Sequence, residues 1–286
     1  MSRFVWMLAA VFLGFSIGVQ NGHAQEAFRS DATATLLKKP LKTGEAVVWF
    51  LGRDGFAVKT KTHLLIFDYY TIGDTPTHPS LANGFVNPKE IEGLDVVVFV
   101  SHRDPDHYDK VIWQWRKSVK RIQYVLGFEP SMAQVKYVHL QPGTTGRVGD
   151  VEVTTFGPST DSGEAYLIKV DGLSLYHAGD FEIHAADSKE RERVFNAIDS
   201  AATKASSVDL LFFNWRPSTP ASQEGFWYAF DKLHAHAVFP MHLEDGDDPL
   251  VKDLINAVPS AERRARIVDK ERRGQNFVYS NGKIVD

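Results

Sequence analysis

Nine short apolar runs punctuate the chain, and their period and composition predict strands. They are Ala46–Phe50, Leu64–Phe67, Val96–Val100, Ile122–Leu126, Val151–Phe156, Ala165–Val170, Leu173–Tyr176, Val208–Phe213 and Ala237–Pro240. Each is too short for a helix, rich in β-branched and aromatic residues, and bounded by turn formers. Asp171-Gly172, between two of these runs, predicts a two-residue hairpin turn. A helical period appears in Ser188–Lys204, where Val194, Phe195 and Ile198 recur among charges and alanines, and shorter helices are expected at Tyr108–Ser118, Gln223–Leu233 and Pro249–Asn256. Early hairpins followed by mixed strands and helices point to an α/β protein of two sheets with helices on their outer faces. No Pro/Gly/Ser-rich linker interrupts residues 25–286, so the expectation is a single domain.

The first 24 residues follow a different pattern. Arg3 precedes the apolar run Phe4–Val19, and Gly22 and Ala24 are the small residues of a cleavage site after Ala24. This reads as a secretory signal peptide, which predicts a periplasmic or secreted protein with no membrane span after cleavage. A retained anchor is the alternative, but the run is short for a bilayer and carries two glycines and a serine.

Composition narrows the chemistry. The chain of 286 residues carries 32 Lys+Arg against 36 Asp+Glu, a formal charge of −4, which gives no electrostatic footprint for nucleic acid. The basic cluster Arg263, Arg264, Arg266, Lys270, Arg272 and Arg273 is interrupted by Glu262, Asp269 and Glu271 and reads as a solvated mixed-charge face. There is no cysteine, so thiolate ligands and thiol nucleophiles are excluded and any metal must sit on His, Asp or Glu.

Those residue types cluster where strands end. Ser101-His102-Arg103-Asp104-Pro105-Asp106-His107 follows the run Val96–Val100 directly. His102 and Asp104 alternate and can face one way, while Asp106 and His107 face an adjacent position, so one loop can serve two cations. Tyr176-His177-Ala178-Gly179-Asp180 ends a second run on a carboxylate, and Val238-Phe239-Pro240-Met241-His242 ends a third on an imidazole. Each of the last two is weak alone. Together the three elements bring ligand types to successive strand ends, where sites assemble.

With these motifs the sequence resembles the metallo-β-lactamase superfamily, whose signature is H-x-H-x-D-H, and within it the lactonase-like branch of the ascorbate-phosphate lactonase type. Val47–Lys59 and Leu65-Ile66-Phe67-Asp68 look like the first hairpins of that branch, and the likeness runs over residues 45–245. The resemblance implies a four-layer αββα sandwich and a one- or two-metal hydrolytic site. By matching positions, His102 and Asp104 belong to a first metal, Asp106, His107 and His242 to a second, and Asp180 bridges them. Two departures qualify this. Asp104 stands where the pattern has a histidine, and the histidine before the hairpin at Gly163–Val170 is missing, with Asp161 the only strong ligand type in that stretch. Asp161 either replaces it as an oxygen donor or is a turn residue bonding its own backbone. An oxygen-rich first site shifts the expected metal from zinc toward manganese or iron.

The function expected from this ligand set is hydrolysis of a small ester, lactone or phosphoester by metal-activated water, with Asp106 orienting the nucleophile and carrying a proton. His177 and His184 flank Asp180 and are candidate substrate contacts. A non-catalytic binding protein with a degenerate first site is the alternative from another class, and an iron-dependent oxidoreductase is a third.

Overall fold

In a computed structural model the described residues are 25 and 27–285, apart from 72–74, 131–134, 158–162, 184–187 and 244–247. The leader, Asp161 and His184 therefore lie outside the described residues.

Two mixed sheets face each other. The first holds β1 (Ala46–Gly52), β2 (Gly55–Lys59), β3 (His63–Phe67), β4 (Asp95–Val100) and β5 (Ile122–Leu126), with β12 (Asn276–Ser280) and β13 (Lys283–Val285) extending its β1 edge. The second holds β6 (Thr145–Val148), β7 (Val151–Phe156), β8 (Ala165–Val170), β9 (Leu173–His177), β10 (Leu210–Asn214) and β11 (Ala237–Met241). All nine expected strands form, with small shifts at their ends. Pairing is antiparallel through β1–β2–β3 and β6–β7–β8–β9, then parallel through β3–β4–β5 and β9–β10–β11.

Alternation along single strands explains the continuous apolar runs. In β1, Ala46, Val48 and Phe50 point into the core between the sheets, where Phe56, Phe67, Phe99, Tyr166, Phe212 and Phe239 also pack. The intervening Val47, Trp49 and Leu51 face a second core on the outer side with Leu37, Ile112, Trp113 and Trp115. A strand buried on both faces has no polar position to alternate with. Helix α1 (27–38) and the segment Lys110–Lys117 supply that outer layer. Helices α2 (Ser188–Lys204) and α3 (Pro220–Lys232) cover the other sheet through Val194, Ile198, Phe226 and Ala229. Helix α4 (Asp248–Ala257) and the short α5 (Ala261–Arg264) follow β11.

One expectation is corrected. Tyr108–Ser118 is a 3-10 spiral over Lys110–Lys117, capped by the Asp109 side chain accepting from the Val111 amide. Ile112 and Trp115, three residues apart, lie one above the other at three residues per turn, and both are buried. Helix α1 and strands β6, β12 and β13 carried no recognisable period, because α1 buries few side chains and the strands, at the margins of their sheets, are mostly only partly buried.

The parallel pairs decide where the site lies. β3, β4, β9, β10 and β11 all deliver their C-terminal ends to one edge of the sandwich. The β1–β2 turn returns to the same edge because β2 runs antiparallel to β3, with Phe56 opposite Phe67.

Candidate metal centre

Each of these strand ends contributes a side chain. His102 and His107 follow β4, Asp180 follows β9, Arg216 follows β10, His242 follows β11, Asp68 follows β3, and Arg53 and Asp54 form the β1–β2 turn. Three of these, Arg53, Asp68 and His242, hold left-handed backbone at φ 47°, 41° and 63°. Such a conformation costs of order 1 kcal/mol or more in a non-glycine residue and persists where surrounding bonds over-determine it.

Those bonds centre on Asp68. Its buried carboxylate accepts from the Ser101 amide at 2.7 Å, the Ser101 hydroxyl at 2.5 Å and His107 Nδ1 at 3.0 Å. Burial opposes its ionisation, but the His107 hydrogen bond, the charges of His107 and His177 and the Ser101 hydroxyl outweigh it and hold the group below the ordinary carboxylate range. Asp68 thereby fixes the proton of His107 on Nδ1 and turns Nε2 toward the cluster, as carboxylates behind metal-binding histidines do. Burial also resists charge on His107, yet the Asp68 bond and the carboxylates of Asp54, Asp68 and Asp180 push it up to about 10.

Asp54 is fully buried. Its Oδ1 accepts the His242 amide at 2.9 Å, its Oδ2 lies 3.7 Å from His107 Nε2, and burial raises it to about 7 against the pull of His107 and Arg53. Its carbonyl accepts His177 Nε2 at 3.0 Å, while His177 Nδ1 accepts from the Gly179 amide at 3.1 Å and the ring stacks on Phe67. With no exposed surface and both nitrogens engaged, His177 braces the β1–β2 turn against the end of β9. The substrate contact expected there is not what these surroundings provide.

Gly179 permits the close approach that aims Asp180. Its φ is +59°, and a Cβ there would stand 2.6 Å from Ser101 Cβ and 2.9 Å from the Glu164 carbonyl.

The donor atoms of His102, His107 and Asp180 all lie within 4.8 Å of one another. His102 is 2% exposed, and neither of its ring nitrogens has a hydrogen-bond partner among the described residues. A buried imidazole left without partners costs free energy comparable to a lost hydrogen bond, which a coordinated cation removes. The residues therefore fit a divalent metal, with two imidazoles and a carboxylate as its donors. Among the described residues the donor atoms of two further groups, Asp54–His107–His242 and Asp180–Glu182–His242, also lie within 4.8 Å of one another.

The other expected ligands are placed differently. The Asp104 side chain is 56% exposed, with Oδ2 3.6 Å from His102 Nδ1, and it belongs to none of the three groups. Asp106 Oδ2 lies 2.8 Å from Arg53 Nε and 3.9 Å from His107 Nε2. His242 Nε2 meets Nη2 of Arg53 at 2.9 Å and Nη2 of Arg216 at 3.1 Å, and Arg216 Nε donates to Glu182 Oε1 at 2.5 Å. Sequence reasoning passed over Arg53, Asp54, Asp68, Glu182 and Arg216. The only signal was position, since Arg53-Asp54 interrupts a hairpin and Asp68 ends a strand.

No protein-family model matches the sequence, and no curated protein matches it. Solved structures do match in shape. YhfI from Bacillus subtilis, described as a metallo-β-lactamase fold protein, covers 82% of this chain and 99% of its own at 13% identity and a TM-score of 0.53. The fold is that of the metallo-β-lactamases. Igni18, a metallo hydrolase from Ignicoccus hospitalis, shares this metallo-β-lactamase fold over 83% of this chain and 99% of its own, at 14% identity and a TM-score of 0.57. So does a mutant of the β-hydroxylase CmlA, at 13% identity and a TM-score of 0.52, over 82% of this chain but 53% of the other. A diiron centre is recorded for CmlA from Streptomyces venezuelae.

Proposed function

We propose that this protein is a metal-dependent hydrolase acting on a small ester, lactone or phosphoester. The observation that carries the reading is the buried, unbonded imidazole of His102 beside His107 and Asp180. A divalent cation supplies Lewis acidity, which lowers the pKa of water from about 15.7 toward ~7 and polarises the bond under attack.

The chain's own residues do the rest. His102, His107 and Asp180 hold the cation, and Asp68 keeps His107 Nε2 turned toward it. Asp106, partly exposed at the rim, accepts the proton of the attacking water at its carboxylate and returns it to the leaving group. Arg53 Nε keeps that carboxylate in place. The substrate in this reading is a small molecule. The lactonase-like branch and export through residues 1–24 complete the reading. Mature protein collected outside the cytoplasm should then begin at Gln25.

Metal analysis of purified protein, paired with hydrolysis assays across lactones, carboxylic esters and phosphoesters before and after chelation, tests it. Bound zinc, manganese or iron and turnover lost in chelator and restored by metal are expected. A protein that takes up no metal, with an unchanged melting curve in chelator, overturns the reading. Tight metal binding without turnover on any substrate identifies a binding protein, and an iron spin-resonance signal that changes with oxidant identifies redox chemistry.

A further inference from the structure

Three donor groups converge at this edge, but two of them already contain a cation supplied by the chain. In the first, Asp54–His107–His242, the Arg53 guanidinium spans the cluster. Its Nη2 meets His242 Nε2 at 2.9 Å, while its Nε lies 2.8 Å from Asp106 Oδ2 and 3.5 Å from Asp54 Oδ2. In the second, Asp180–Glu182–His242, Arg216 meets His242 Nε2 at 3.1 Å and Glu182 Oε1 at 2.5 Å. Guanidinium nitrogens only donate, so the Nε2 lone pair of His242 faces both arginines. A metal ion at His242 must displace them and leave Asp106 and Glu182 without these partners. Glu182 has no exposed side-chain surface, so stripping Arg216 from it is strongly unfavourable.

We infer that Arg53 and Arg216 stand in for a second metal ion, so that the centre binds a single divalent cation at His102, His107 and Asp180. This rests on the metal-centre reading above and goes beyond it. Two of the three residues expected for a second metal, Asp106 and His242, are instead the two ends of the Arg53 bridge. The third, His107, is shared with the remaining group. A guanidinium supplies a fixed positive charge in that place without an exchangeable coordination position. It can neutralise Asp106 and orient a substrate oxygen, but it cannot activate a second water.

Metal stoichiometry tests this without reference to turnover. Purified wild-type protein is stripped, titrated with cobalt(II) or zinc, and counted by elemental analysis after desalting. One equivalent is expected for the wild type and for Arg53→Lys, which keeps the charge. Two are expected for the Arg53→Ala/Arg216→Ala double variant, in which both guanidiniums leave His242. Anomalous scattering from wild-type crystals should place one peak between His102, His107 and Asp180. Two equivalents in the wild type, or a peak at His242, overturns the inference while leaving a metal centre in place. A folded double variant that still binds one equivalent also overturns it. No metal in the wild type removes the centre itself and the inference with it. If the double variant does not fold, the wild-type count and the peak position still decide.

Discussion

Replacing Asp68 with asparagine isolates the residue on which the site's order depends. The side chain keeps its size, so no cavity forms. The change lies in the donors and acceptors. The Ser101 amide bonds Oδ1, while the Ser101 hydroxyl and His107 Nδ1 both bond Oδ2. Asparagine retains one acceptor oxygen and turns the other position into an NH2 donor. If the oxygen stays at the Ser101 amide, the NH2 faces the hydroxyl, which can rotate to accept, and His107 Nδ1–H, which cannot. His107 then moves its proton to Nε2 or turns its ring, and either change spoils the donor aimed at the cation. Losing a charge-assisted hydrogen bond costs about 1.5–3 kcal/mol, and leaving its partner buried and unpaired brings the total to about 3 kcal/mol or more. Removing the partner behind a metal-binding histidine typically costs about 10–100-fold in metal affinity. Denaturant unfolding of metal-free protein reads the first effect, and competition against a chromophoric chelator reads the second. Asp68→Asn within about 0.5 kcal/mol of wild type, with metal affinity within about twofold, refutes the reasoning.

Three other outcomes follow from the same geometry. His102→Leu should leave metal-free stability unchanged or raised by up to about 2 kcal/mol, because no hydrogen bond is lost, while the metal-induced rise in melting temperature disappears. A large loss of stability in the metal-free variant contradicts the unbonded state of the ring. Gly179→Ala should destabilise by roughly 2–4 kcal/mol, since the added Cβ meets Ser101 and the Glu164 carbonyl at a left-handed position; a neutral melting curve refutes the close approach. Glu164, buried and raised to about 8, is protonated in the folded state over a range where the unfolded chain has lost the proton. Stability should therefore fall as pH rises from about 4.5 to about 8, by up to roughly 5 kcal/mol, and level off above. Glu164→Gln should remove that slope and be the more stable protein at pH 8.5; parallel pH profiles for the two count against a buried neutral carboxyl.

Much of this was legible along the chain. A strand buried on both faces announces itself as an unbroken apolar run, and nine such runs became nine strands. Ligand-type residues directly after those runs marked His102, His107, Asp180 and His242, because a strand end is the point where a buried chain can turn a polar side chain toward a cleft. Strands β6, β12 and β13, at the margins of their sheets, were not legible, since Thr145-Gly146-Arg147-Val148 and its like take their pairing from a neighbour rather than from their own composition. The 3-10 spiral at Lys110–Lys117 was read as a helix because spacing alone does not separate three residues per turn from 3.6.

What the sequence determined by itself is local: which segments are strands, which ends carry imidazoles and carboxylates, and that no thiolate takes part. What the tertiary structure decided is who faces whom. Arg53 reaches His242 across 189 positions of chain and Asp68 reaches His107 across 39. Periodicity carries no information about such meetings, because they depend on strand order and on which edge each turn returns to. The physical consequence lies in the charges. Read along the chain, the donors allow one metal position or two. Folded, two of the three donor groups hold a guanidinium, and the buried imidazole of His102 marks the third.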